Sequence, residues 1–216
     1  MSLIDISQWA GMALIGLYFP LQNWRLILTR NPIGISFLAF AFLMAGIAGY
    51  ISLALHLGLV GLAAGNISNF IFTALILFLV WKRSSALSKK EQLAGFIILA
   101  LAVLFLTAIN TVGRQNAVAL SGIMGAAGIV AFYPVQNFDL LRKRDPAGLS
   151  LMAFIFLAVG LFFYTLLGFL VDDTTIIIGN GFSLVGSLIA IGIILRYRHK
   201  PAPALPRVKH RSAAHS

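Results

Sequence analysis

Apolar stretches of about 20 residues, each separated from the next by a short polar or glycine-containing cluster, fill almost the whole of this chain of 216 residues. Seven can be marked, near residues 4–24, 33–55, 59–81, 92–112, 117–138, 149–170 and 174–195. At about 1.5 Å of helical rise per residue, each spans a hydrocarbon core about 30 Å thick. The pattern therefore predicts an all-α membrane protein with seven transmembrane helices. Too little sequence lies outside these stretches for a soluble catalytic domain or a large extramembrane receptor module. The first stretch lacks a basic leading segment and a small-residue cleavage site, so it reads as a retained helix and not as a signal peptide.

Composition agrees: 60% of the residues are hydrophobic and 10% are charged. The absence of cysteine excludes disulfides and thiolate chemistry. A formal charge of +10 would suggest nucleic acid in a soluble protein, but the placement of the charges gives a better account. Arg25 and Arg30 follow the first stretch. Lys82, Arg83, Lys89 and Lys90 follow the third, and Arg142, Lys143 and Arg144 follow the fifth. With six more in the tail, fifteen basic residues fall on one side, and the loops on the other side hold only Arg114, Asp172 and Asp173. The positive-inside rule then predicts an outside N-terminus and a cytoplasmic C-terminus, in what reads as a bacterial cytoplasmic membrane. The basic, proline-containing tail, 199–216, is expected to be disordered and to serve mainly as topology-setting charge.

The chain also matches itself. Shifted by 114 without a gap, residues 19–82 and 133–196 agree at 17 of 64 positions. The matches include rare polar types: Pro20/Pro134, Gln22/Gln136, Asn23/Asn137, Arg30/Arg144, Ser36/Ser150, Tyr50/Tyr164 and Asn66/Asn180. Each copy holds three predicted helices and carries its basic loop on the same side. Copies that point the same way need an odd number of helices between them, and the stretch at 92–112 supplies one. The expected architecture is therefore 3+1+3, two parallel three-helix bundles joined by a linker helix. In domain terms, 1–84 is the first repeat, 85–114 a basic cytoplasmic loop with the linker helix, and 115–198 the second repeat.

Polar side chains inside apolar helices mark the candidate site. Pro20 and Pro134 each remove a backbone donor and crowd the carbonyl four residues earlier, at Gly16 and Val130, so both helices should bend there. Paired bends at equivalent depths are candidate hinges, although prolines also simply shape static bundles. Gln22 and Gln136 are expected to satisfy the carbonyls that the bends expose. Asn66 and Asn180 must face protein or water, and across a pseudo-twofold axis they can converge on one polar solute; the plainer role is interhelical glue. Tyr50 and Tyr164 offer an aromatic wall with a hydroxyl, or else an interfacial belt. Arg25 and Asp139 stand at equivalent positions with opposite charge, which suggests an inner-gate ion pair; an exposed pair would contribute only about 0–1 kcal/mol. Ser36 and Ser150 read as helix N-caps, with Asn31 and Asp145 as rivals.

In these residues the chain resembles the PQ-loop, SWEET and SemiSWEET (MtN3-like) superfamily of small membrane transporters, over residues 4–198. That group has a proline–glutamine kink in the first helix of each three-helix unit, a basic loop ending near Gly-x-Ser, and an asparagine in the third helix. This sequence departs from it in reading Pro20-Leu21-Gln22 and Pro134-Val135-Gln136, with one residue between. It also has Tyr50 and Tyr164 where similar sugar carriers place tryptophan.

The resemblance implies transport of a small polar solute, sugar or amino-acid-like, by alternating access between the repeats. The alternative is a seven-helix binding or sorting receptor of similar architecture without transport. Such a receptor should present a strongly charged outer cavity for carboxylate capture, and this chain offers only Arg114 there. No phosphate-binding loop, zinc spacing, paired catalytic carboxylates or nucleophile elbow is present, so an enzyme is not expected, nor a cofactor or metal. The expected partners are the solute and the bilayer, not nucleic acid, with homo-oligomerisation left open. Proton coupling normally uses an ionisable group at depth, and the apolar cores hold no carboxylate, which favours uniport.

Overall fold

The computed structural model describes residues 2–58, 60–84, 87–109 and 111–198. The expected disordered tail lies outside them. Among the described residues seven helices follow one another: α1 (Leu3–Thr29), α2 (Phe37–Leu57), α3 (Val60–Arg83), α4 (Lys89–Ile109), α5 (Arg114–Lys143), α6 (Leu151–Leu170) and α7 (Thr174–Tyr197). The described residues contain no strand.

Six of the helices are long and apolar enough to cross a membrane; α1 is not among them. Seven spans were expected, and the difference has a local cause. Asp5, Ser7, Gln8, Gln22, Asn23 and Arg25 dilute the apolar character of α1, and of these Ser7, Gln22 and Asn23 are buried within the protein. A helix whose polar groups face protein needs less apolar surface of its own.

Helix ends follow the local chemistry. Ser36 and Ser150 cap α2 and α6, their hydroxyls accepting the N–H groups of Ala39 and Ala153. Asn31 and Asp145 do not cap these helices. Each instead accepts the N–H two residues on, from Ile33 and Ala147, in the turn that precedes the cap. Helices α1 and α5 run several residues past their apolar stretches. They stop at Arg30 and Arg144, which adopt left-handed backbone conformations with φ 50° and 54° and donate their N–H groups to Leu26 and Leu140. The repeated arginines thus hold the same helix stop in both halves.

The main contacts pair elements crosswise. Helix α1 packs along α6 and α2 along α5, while α3 lies against α1 and α2, and α7 against α5 and α6. Helix α4 leans on α2, touches α5 lightly, and is otherwise the least buried helix. Glycines set the cross-half approach. A Cβ at Gly46 would fall 2.8 Å from the backbone nitrogen of Ile129, and one at Gly160 would fall 2.9 Å from that of Ile15. Residues 46 and 160 are a repeat pair, as are 15 and 129, so one small-residue crossing occurs twice. The core repeats likewise: Leu26 and Leu140, Ala39 and Ala153, Phe40 and Phe154 are all fully buried.

Candidate functional site

A cavity of about 320 Å³ opens between the halves, lined from α1, α2, α3, α5, α6 and α7. It lies toward the N-terminal ends of α1 and α5, the end opposite the basic loops. All four residues proposed as solute contacts line it: Tyr50, Tyr164, Asn66 and Asn180. A larger recess of about 460 Å³ sits on the outer flank of α2 toward α3 and α4, lined by Ala48, Ile51, Ser52, Leu55, His56, Phe70 and Leu106. Its two polar side chains are already engaged. Ser52 Oγ lies 2.8 Å from Ser121 Oγ, and His56 Nδ1 is 2.8 Å from the Ser52 carbonyl. The central cavity, where polar groups converge, is therefore the candidate site.

The two asparagines are held alike. Asn66 Nδ2 donates to the Leu62 carbonyl and Asn180 Nδ2 to the Ile176 carbonyl, each at 3.0 Å and four residues back on the same helix. Among the described residues neither amide donates to another helix. The local bond fixes the amide and leaves its oxygen for an incoming donor. The tyrosines are also held alike. Tyr164 rests on Gly11 of α1 and Tyr50 on Gly125 of α5, where an added Cβ would lie 2.7 Å and 3.0 Å from ring carbons. The Tyr50 hydroxyl is buried without a hydrogen-bond partner, as is that of Tyr18 deeper in the cavity. Each leaves a buried phenol donor unsatisfied beside the cavity.

The floor is aromatic. Tyr18, Phe19, Phe132 and Tyr133 line the cavity at its basic-side end, and none is more than 3% exposed. Tyr18 meets Phe154 edge to face with centroids 5.4 Å apart, and the equivalent pair Phe132 and Phe40 does so at 5.2 Å. This layer stands one or two residues before Pro20 and Pro134. Both helices continue through their prolines.

Beyond the floor, the glutamines do something the sequence did not suggest. They do not turn back to the carbonyls of Gly16 and Val130. Gln22 reaches the other half, donating to the Gly148 carbonyl at 2.8 Å and accepting the Ser150 N–H at 3.0 Å. Gln136 does the same in reverse, donating to the Gly34 carbonyl at 2.6 Å and accepting the Ser36 N–H at 3.0 Å. Each amide thus uses both its ends on the Gly-x-Ser turn of the opposite half. The turns themselves also meet, the Gly148 N–H donating to the Ile33 carbonyl at 3.0 Å. Space for this is tight: a Cβ at Gly34, whose φ is +89°, would fall 2.5 Å from the Asp145 carbonyl oxygen. Among the asparagines it is Asn23 and Asn137 that tie helices together, donating to the Phe72 and Gly186 carbonyls of α3 and α7 at 3.1 and 3.0 Å.

Arg25 and Asp139 are not joined. Arg25 Nε donates to the Ala147 carbonyl at 3.2 Å, and Asp139 faces Lys143 on its own helix at 3.5 Å. The basic side is closed by neutral amides and backbone instead of by an ion pair. The site residues that sequence reasoning passed over are Tyr18, Asn69 and Asp173, all lining the cavity. One signal was available: the self-match extends upstream through Ser7/Ser121, Gly11/Gly125 and Ile15/Ile129. Those pairs include the glycines that seat the tyrosines.

Six helices long and apolar enough to cross a membrane, among the described residues, define an integral, multi-pass membrane protein. Its helices adopt a SWEET-like fold. The 3.7 Å resolution structure of a eukaryotic SWEET transporter superposes with a TM-score of 0.61, covering 92% of this chain and 100% of that one at 16% sequence identity. No family model and no curated protein sequence matches the chain.

Proposed function

We propose that this protein carries a small polar solute, sugar or amino-acid-like, across the membrane by alternating access. The observation that carries this reading is the convergence of repeat-equivalent residues, Tyr50 with Tyr164 and Asn66 with Asn180, on one cavity between the halves. A volume near the lower end of the range for small-molecule pockets, about 300–1,000 Å³, suits a solute of monosaccharide or amino-acid size. The likeness of the fold to a solved transporter supports the same class.

In this reading the halves are the two repeats, 1–84 and 115–198, with 85–114 carrying the linker helix α4, a 3+1+3 arrangement. The N-terminus lies outside and the C-terminus in the cytoplasm, following the basic loops. The cavity then faces outward. Its inner gate is the aromatic floor backed by the two glutamine clamps, together with the Arg25 contact to Ala147. Pro20 and Pro134, between floor and clamps, act as hinges on which the inner thirds of α1 and α5 swing. Because no carboxylate lies deep in the path, the exchange is uniport.

The test is uptake by proteoliposomes across a panel of sugars and amino acids, with and without a proton gradient. Uptake of at least one solute, indifferent to the gradient, is expected. No uptake of any member, with retained binding of one, would favour a receptor.

A further inference from the structure

Among the described residues, Asp173 is the one charged side chain that lines the cavity. It is the N-cap of α7, its Oδ1 accepting the Ile176 N–H at 3.0 Å. That bond holds the carboxylate at the mouth, among Leu57, Leu62 and Thr175. No described Arg, Lys or His lines the space. Three other charged side chains stand at this end among the described residues. Arg114 donates through Nε to the His56 carbonyl at 3.0 Å, Asp172 is exposed in a left-handed turn of φ 54°, and Asp5 is exposed in the first turn of α1, where it accepts the Ser2 N–H at 2.9 Å; none lines the cavity. The remaining lining is apolar or neutral. Such walls have a low dielectric constant, so the field of one fixed carboxylate extends through the mouth with little screening.

Capping alone does not explain the residue. Asn, Ser or Thr would cap α7 about as well without the charge. The repeat does not explain it either, because the equivalent position in the first half is Leu59. We infer that Asp173 is a charge filter, through which the cavity admits neutral and cationic polar solutes and turns anions away. A neutral polyol passes without penalty and a cation is drawn in. An anion must approach a like charge with no cation to receive it. The inference rests on reading the cavity as a solute site and narrows the class of solute.

Since the chain has no cysteine, the potential can be read without knowing the solute. A cysteine replaces Asn69 inside the cavity, or Val112 at the same end outside it. Both are treated with cationic trimethylammonioethyl and anionic sulfonatoethyl methanethiosulfonate on the full-length protein. The thiolate attacks the thiosulfonate sulfur, forming a mixed disulfide and releasing methanesulfinate. We expect the cation-to-anion rate ratio at Asn69→Cys, normalised to Val112→Cys, to be about tenfold. It should fall close to one in Asp173→Asn and equally in Asp173→Ser, both of which keep the cap. A parent ratio near one, a ratio that either variant leaves unchanged, or no reaction with either reagent would overturn the filter. The two readings separate cleanly. Charge bias without uptake of any solute leaves the filter standing and removes the transporter, while uptake of an anion such as glucuronate removes the filter alone.

Discussion

Tyr164 on α6 lies flat against Gly11 on α1, so close that a Cβ at residue 11 would fall 2.7 Å from the ring. Tyr50 stands in the same relation to Gly125 on α5, at 3.0 Å. Each half thus supplies the seat for the other half's aromatic wall, which ties the shape of the cavity to the contact between halves.

Replacing Gly11 with Ala should therefore overpack the seat, costing about 1–3 kcal/mol of stability. Gly125→Ala, with slightly more room, should cost less. Thermal unfolding in detergent reads both. If the seat is the cause, adding Tyr164→Ala to Gly11→Ala should restore part of the loss, whereas strictly additive effects would mean that the ring and the glycine are not coupled.

The glutamine clamps make a second prediction. Gln22→Ala leaves the Gly148 carbonyl and Ser150 N–H without their partner, a loss of about 1–3 kcal/mol if they stay buried. The protein can escape that cost by parting its basic-side turns. Spin labels on exposed Leu28 and Leu141 should report a longer, broader distance distribution in Gln22→Ala and in Gln136→Ala. An unchanged distribution in both would show that the clamps do not hold the gate.

These clamps also mark where the sequence stops being readable. Helices, their caps and the repeat were legible because they depend on neighbours and on periodicity. The convergence of Asn66, Asn180, Tyr50 and Tyr164 was legible because symmetry relates them. The partner of Gln22 lies 126 residues away. Nothing local in the sequence distinguishes that contact from a turn back to the helix's own free carbonyl, and the second was the shorter guess. Asp173 was read as loop charge because its neighbours look like a turn. Only the cavity reveals which way it faces. That Ser7, Gln22 and Asn23 of α1 face protein is not legible in the sequence for a related reason, since their burial is a property of the packed bundle.

Asn66→Ala and Asn180→Ala should leave folding nearly intact, because each amide makes only a bond within its own helix. Loss of solute affinity by about tenfold or more is expected for each, as for a lost hydrogen bond of roughly 1.5 kcal/mol. Binding and melting temperature measured on the same preparations decide the matter. Wild-type affinity together with wild-type stability would remove both residues from the site.

Pro20→Ala and Pro134→Ala should regain a backbone hydrogen bond to Gly16 or Val130 and stiffen α1 or α5. The expected phenotype is a slower exchange of the halves with solute affinity largely preserved. Single-turnover uptake separates the two quantities. Turnover equal to the parent in the double variant would show that the prolines only shape the helices.

The central claim is that solute crosses only when the basic-side turns part. It can be tested by tying them together. In Arg25→Cys/Ala147→Cys the two thiols replace a contact of 3.2 Å across the halves, and a short bis-methanethiosulfonate can bridge them through reducible disulfides. Uptake by proteoliposomes of whichever panel solute the parent carries should stop when the bridge forms and return on reduction, while binding to the outward-facing cavity persists throughout. Uptake that continues undiminished through a fully bridged protein would contradict the account.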